Sequence, residues 1–521
     1  MDAPTPTPPG PPRPPDPPPP TPLGPPPTDG LRARATRGVA SNAAAQLVKL
    51  AVQVGSVVVL SRLLAPADFG LFAMVAPVFA LVLLLQDLGL QQAVVQRPEI
   101  TGEQVNALFW IGTGVSVAVA LALAAAAPLV GAFYGDPRAA DLALALAPLV
   151  VLAGLAAQHL ALLQRGMRFG VLAALDAGAY VLGFVAALAV ALLVGDHWAL
   201  YAAPAAVAAS TLAFAWAASR WTPSAPPRRA VPGVREMLGF GGGLLGFNGF
   251  NFLVRNLDAV LIGRAWGAAP LGLYDRAYRL LLFPLQQVSA PLSRVMVPTL
   301  SRLLDQPGRY RSAYLRTFAQ VMLVTGPGIV AMAATADALV PFLLGERWAE
   351  AAPIFMALGA TALQQPPSVT MFWLFVSQGR TGALAAWGAF NAATTALAVV
   401  VGLPWGPFGV ALAYSLTDLL PRLPVLWWMA TRSGPVRQRD LYATAWPFLL
   451  ADAAALAAVL GLRRGVLGDI GGGGGWTALC LVLCAVFAYA AALATLAALP
   501  QGRAVLRESL GAARTLLARG R

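Results

Sequence analysis

The residues best able to do chemistry sit in two neighbouring apolar runs. Asn248, Asn251, Arg255 and Asp258 recur at steps of three and four, which places them on one face of a helix. The next run carries Arg276, Arg279 and Arg294. Arg279 lies about one turn beyond Arg276, and Arg294 about five turns beyond it on the same face, at 3.6 residues per turn. Ionisable side chains inside apolar spans are costly and mark a functional site by default. Guanidinium groups are planar and permanently charged. The set therefore suits the wall of a polar, cationic cavity inside the membrane. Asp258 either orients Arg255 or takes part in ion coupling.

An earlier run carries a second polar seam: Asn42, Gln46, Lys49, Gln53 and Ser56, again at steps of four and three. Shifting its last four members by 202 residues superposes them on Asn248, Asn251, Arg255 and Asp258. Such seams serve either as interhelical hydrogen-bonding glue or as the walls of one shared cavity. Lys49, Arg255 and Asp258 together favour the cavity, because packing glue has little need of full charges. Lys49 is then the lone cation facing the more heavily charged second wall. For Arg276 and Arg279 a plainer reading stands beside the cavity: long side chains near a span end can reach the membrane interface. Asp418 is a second candidate for ion coupling, although Arg422, four residues on, could simply neutralise it.

The elements that must position these residues are membrane helices. The chain has 521 residues, 58% hydrophobic and only 11% charged. A soluble protein carries about a quarter charged residues, and apolar runs of about 20 residues are long enough to span a bilayer as helices. About fourteen spans are expected, making an all-α polytopic membrane protein. Its spans group as two pseudo-symmetric six-helix lobes, at 38–220 and 238–431, plus two further transmembrane helices within 440–499. Residues 221–237 form a linker. Residues 1–37 open with a proline-rich stretch that cannot build a core and is expected to be disordered. Residues 500–521 form a basic tail that suits a helix lying on anionic lipid.

The lobes are read from a repeat. Ser61–Phe72 resembles Gly263–Tyr274 at an offset of 202, held through Gly70 and Gly272. Gly135-Asp136 matches Gly345-Glu346, and Trp198-Ala199-Leu200 matches Phe408-Gly409-Val410, both at 210. Lobes separated by an even number of crossings run in the same sense, about an axis along the membrane normal. With the N-terminus inside, roughly 24 of the 36 Lys and Arg residues fall in inner loops and tails and about 6 in outer loops. Both termini are therefore expected in the cytoplasm. The net charge of +13 is accounted for by this bias, so no nucleic acid partner is implied.

Several classes are excluded. Lys49 is the only lysine and no Gly-Lys-Ser/Thr is present, which removes a P-loop ATPase. Two histidines and two cysteines are too few and too scattered for a structural zinc site. No cofactor and no metal are expected. No loop is long enough for a soluble catalytic domain, and no Asp-x-Asp metal motif of a glycosyltransferase is found, so a transporter rather than an enzyme is expected.

Asn256-Leu257-Asp258-Ala259-Val260-Leu261-Ile262-Gly263-Arg264, followed by Leu271-Gly272-Leu273-Tyr274, Arg276-Ala277-Tyr278-Arg279-Leu280 and Pro298-Thr299-Leu300-Ser301-Arg302, resembles the polysaccharide transporter branch of the multidrug/oligosaccharidyl-lipid/polysaccharide exporter superfamily. Leu60-Ser61-Arg62-Leu63-Leu64, Asp68-Phe69-Gly70, Asp87-Leu88-Gly89 and Leu344-Gly345-Glu346-Arg347-Trp348 carry the same resemblance. It implies a Wzx-type flippase that carries undecaprenyl-pyrophosphate-linked oligosaccharide from the inner to the outer leaflet by alternating access. It further implies a bacterial inner (plasma) membrane location, contacts with membrane lipids, and polysaccharide polymerase and co-polymerase partners. The alternative is a multidrug or small-molecule antiporter of the same superfamily. The resulting substrate cavity is expected to draw on Gln46, Lys49, Gln53, Asn248, Asn251, Arg255, Asp258, Arg276, Arg279 and Arg294, with Asp258 and Asp418 as coupling carboxylates.

Overall fold

A backbone in lipid has no water to bond to, so it must satisfy its own polar groups, and a helix does this within one segment. The computed structural model describes residues 31–87, 91, 94–95, 100–227, 231, 234, 256–468, 470 and 473–519, and all regular structure among them is helical. The first lobe contains α1 (Leu31–Leu63), α2 (Pro66–Asp87), α3 (Gly102–Tyr134), α4 (Pro137–Arg165), α5 (Phe169–Leu193) and α6 (Trp198–Ser219). The second contains α7 (Leu257–Trp266), α8 (Ala268–Ser301), α9 (Pro307–Ala334), α10 (Ala336–Leu344), α11 (Ala351–Ser377), α12 (Thr381–Gly402), α13 (Gly406–Thr417) and α14 (Leu423–Thr431). The added pair is α15 (Gln438–Leu462) and α16 (Gly474–Ala498), followed by the surface helix α17 (Pro500–Arg519).

Ten described helical runs are long and apolar enough to cross a membrane, or eleven if the bent halves of α8 are joined. The chain is a multi-pass membrane protein. Three features separate this count from the fourteen expected. The seventh expected span, 238–263, falls largely outside the described residues. The run Thr381–Thr431 passes as one unit but turns back at Leu403–Trp405, where Gly402 and Gly409 bring two helices into backbone contact. α11 is diluted by Gln364, Gln365, Pro366 and Pro367, which it carries inside the bundle, where Gln364, Pro366 and Pro367 are all buried.

The lobes meet at residues the repeat relates to one another. A Cβ on Gly70 would overlap the carbonyl oxygen of Ala268, and a Cβ on Gly272 would overlap that of Pro66. The same offset of 202 relates Gly70 to Gly272 and Pro66 to Ala268, so the two clashes are mirror statements of one contact. A pseudo-two-fold axis therefore passes between α2 and α8 where their backbones touch. Lipid tails give apolar helices little reason to associate, so close van der Waals contact through small residues holds them instead. Around this crossing one core bridges both lobes, drawing Leu64, Phe69, Leu71 and Met74 together with Leu271, Tyr274, Ala277, Trp348 and Phe355. The contact leaves no room between the lobes at this crossing, near the starts of α2 and α8.

A further repeat element is legible only with the structure in hand. Arg168 donates to the carbonyl of Ala218 at the end of α6, and Arg380 donates to those of Met429, Ala430 and Ser433 at the end of α14. Both residue pairs share an offset of 212. The preceding residues, Met167 and Gly379, both have positive φ, at 52° and 66°. Each arginine thus satisfies carbonyls that a helix C-terminus leaves unpaired.

Candidate functional site

Below the α2–α8 crossing lies a cavity of about 760 Å³ between the lobes. Its two walls differ in chemistry. α1, α5 and α6 supply Gln53, Ser56, Tyr180, Phe184 and Val207, with no charged side chain among the described lining residues on that side. The opposite wall, from Asn256 to Ala259 and from Leu271 to Phe283, supplies Asp258, Asp275, Arg276 and Arg279 together with Tyr274 and Tyr278.

These charges are not equally available. The Arg279 Nε donates to Asp275 at 2.7 Å, one turn earlier on the same helix. Asp258 lies in the first turn of α7, accepts from the Ala259 N–H at 2.8 Å, and accepts from the Tyr274 hydroxyl at 3.0 Å. Tyr274 is held flat against Tyr278, with ring centroids 6.2 Å apart and planes 8° from parallel. Arg276 has no carboxylate within ion-pairing distance among the described residues, and its buried Nε makes no hydrogen bond. Its guanidinium instead lies 3.8 Å from the centroid of the Phe69 ring. Among the described residues this desolvated cation leans on an aromatic face and feels the nearby Asp275 without pairing to it, which leaves it able to take an anionic partner.

The structure brings together Gln53, Asp258, Arg276 and Arg279 from the sequence-derived set. Asn248, Asn251 and Arg255 lie outside the described residues. Gln46 is exposed on α1 and does not line the cavity. Lys49 is engaged elsewhere: its Nζ donates to Asp176 on α5 at 2.8 Å and sits 4.0 Å from the Tyr180 ring. It thereby bridges two helices of the first lobe beside the cavity wall. Arg294 is exposed and outside the cavity. The sequence places it on the Arg276 face only if α8 is straight, but α8 bends by about 40° between Ser289 and Pro291, as a proline inside a helix commonly causes. Asp418 is buried against Arg422, 3.4 Å away, and accepts from Gln364. It does not line the cavity.

Sequence reasoning overlooked Tyr180, Tyr274, Tyr278 and Asp275. Their signal was present, since Tyr274 and Tyr278 are four apart and flank Asp275 and Arg276. Attention to the arginines passed over the tyrosines and over Asp275 as the partner of Arg279.

The family described as polysaccharide biosynthesis protein matches residues 59–353 of this chain, more than half its length. The chain belongs to that family. It is 23% identical over 399 residues to the lipopolysaccharide biosynthesis protein WzxC of Escherichia coli, covering 75% of this chain and 80% of the relative. It is 26% identical to the succinoglycan biosynthesis transport protein ExoT of Rhizobium meliloti, covering 67% and 70%. A solved structure of the lipid II flippase MurJ in an inward closed conformation superposes with a TM-score of 0.68 at 13% identity, covering 88% of this chain and 98% of that one. This last likeness shows a shared fold. The matched segment spans parts of both lobes of this chain, including the α2–α8 crossing and the charged cavity wall.

Proposed function

We propose that this protein is a lipid-linked oligosaccharide flippase for cell-surface polysaccharide biosynthesis. It carries polyprenyl-pyrophosphate-linked glycans, with undecaprenyl as the lipid, from the inner to the outer leaflet of the bacterial inner membrane by alternating access. Both termini lie in the cytoplasm, and a polymerase with its co-polymerase receives the product. Family membership supports the transport class. The observation that carries the substrate reading is Arg276: a cavity-lining guanidinium with no carboxylate partner among the described residues, beside an Arg279 already satisfied by Asp275. Among the described residues, an anion entering the cavity meets Arg276 as the cation without an ion-pair partner, while the uncharged tyrosine- and amide-bearing wall suits the sugar.

The multidrug antiporter is the second reading. A cationic drug needs carboxylates free to meet it. Asp258 and Asp275, the described carboxylates of the lining, are occupied by Tyr274 and Arg279, which favours the anion.

The deciding experiment is Arg276→Ala in a flippase-null host supplied with this protein. Loss of a charged hydrogen-bonding partner, worth roughly 1.5–3 kcal/mol, should lower polymer export about tenfold or more at unchanged protein abundance. Export at the unmodified level would remove Arg276 from the site, and drug resistance without polymer export would favour the antiporter.

A further inference from the structure

Phe69 stands between a residue of the cavity wall and the end where the lobes meet. One face of its ring lies against the Arg276 guanidinium at 3.8 Å. It also meets the indole of Trp348 edge-to-face, with centroids 5.3 Å apart and planes at 67°. Trp348 is fully buried, and its Nε1 donates to the Ser61 carbonyl at 2.7 Å, tying the loop after α10 to the end of α1 across the lobe interface. The adjacent Arg62 donates to the carbonyls of Phe342 and Leu343, the last residues but one of α10. The sequence Arg276–Phe69–Trp348–Ser61 is therefore a continuous chain of contacts from the charged wall to the seal.

The repeat separates this chain from what the fold itself needs. The mates of Phe69 and Arg276, at an offset of 202, are Leu271 and Met74, and the mate of Trp348, at 210, is Arg138. Leu271 and Met74 form no ring or cation contact. Arg138 is turned to Asp136, 2.7 Å away. The crossing of α2 and α8 is thus built on both sides of the pseudo-axis, while the aromatic relay is built on one side only, the side that holds the uncommitted arginine.

We propose that Phe69 is a positioning residue that couples anion occupancy of the cavity to release of the closed end. The inference rests on the anion reading of Arg276. With the cavity empty, the guanidinium presses Phe69 onto Trp348 and keeps the tie to Ser61 made. An anion draws the guanidinium off the ring, the ring loses its cation, and the Phe69–Trp348 contact loosens. Binding then biases the seal toward opening, because it interacts differently with the closed and open forms.

The test uses the full chain in lipid nanodiscs. Buried Cys480 and Cys484 are replaced by alanine, and Leu64, which is fully buried at the end of α1 by the seal, is replaced by cysteine as a reporter. The readouts are its reaction rate with a bulky hydrophilic maleimide and, separately, calorimetric binding of inorganic pyrophosphate, with sulfate as the control. In the otherwise unmodified protein, pyrophosphate should raise the labelling rate about tenfold, within the usual range of coupling between sites. Phe69→Leu, which installs the residue found at the mate position, should bind pyrophosphate but lose the labelling response. Phe69→Tyr, which keeps the ring, should restore it. Arg276→Met should lose binding. A labelling response that survives in Phe69→Leu, or pyrophosphate binding by the unmodified protein with no response, overturns the relay and leaves the anion reading standing. Absence of pyrophosphate binding by the unmodified protein brings down both.

Discussion

At the scale of single residues, charge alone is a poor guide to function, and partners decide. Arg276 and Arg279 look alike in the sequence, yet one is held by Asp275 and the other by an aromatic ring. Arg279→Ala should therefore weaken polymer export less than Arg276→Ala, compared at equal abundance in a flippase-null host. Lys49 teaches the same lesson. Its place on the first polar seam marked it for the cavity, but it bridges α1 to α5 through Asp176. With side chains 22% and 49% exposed, the pair contributes about 1 kcal/mol at most. Lys49→Met and Asp176→Leu should each lower the thermal stability of the purified protein, and the double variant should recover part of that loss. A double variant that is simply the sum of the singles would show that the two do not interact. What the sequence could give here was the seam, since helical spacing alone puts Gln53 and Ser56 on one face. It could not give Asp176 as the partner of Lys49, because the two are 127 residues apart and nothing in local spacing links them.

At the scale of elements, the repeat was legible in outline because turns demand particular residues. Gly135 and Gly345 both have positive φ, at 71° and 104°, a conformation that glycine adopts without strain, and so the match stood out. The Arg168 and Arg380 caps were less visible, since Met167 replaces glycine at the corresponding turn. They make a graded prediction. Arg380 reaches three carbonyls and Arg168 one, and a charged hydrogen bond is worth about 1.5–3 kcal/mol where it is buried. Arg380→Ala should lower the midpoint of thermal unfolding clearly more than Arg168→Ala. Equal losses would mean that the carbonyls find water in either case. The bend in α8 illustrates the opposite limit: Pro291 was in plain sight, but a count of helical turns treats every helix as straight.

At the scale of the whole molecule, composition sufficed for the class. Apolar runs in such density admit only membrane helices, and the ordering of motifs pointed to two related lobes. The relation between lobes was harder to read, because the cavity exists only where walls from distant segments face each other. The sense of insertion is a matter of where Lys and Arg fall, and it predicts that a fluorescent protein fused after Arg521 folds and glows, while alkaline phosphatase fused there stays inactive; the reverse pattern would invert the topology. The backbone contact of Gly70 and Gly272 carries a consequence of another kind. Side chains exchange rotamers in picoseconds to nanoseconds, whereas packed helices part in microseconds to milliseconds. At the crossing itself the contact is main chain, so no rotamer change at Gly70 or Gly272 can part it, and separation there waits for the slower motion of whole helices. A crossing of that kind would let a passage roomy enough for a sugar change sides without offering protons and small ions a leak on the faster timescale of side-chain motion.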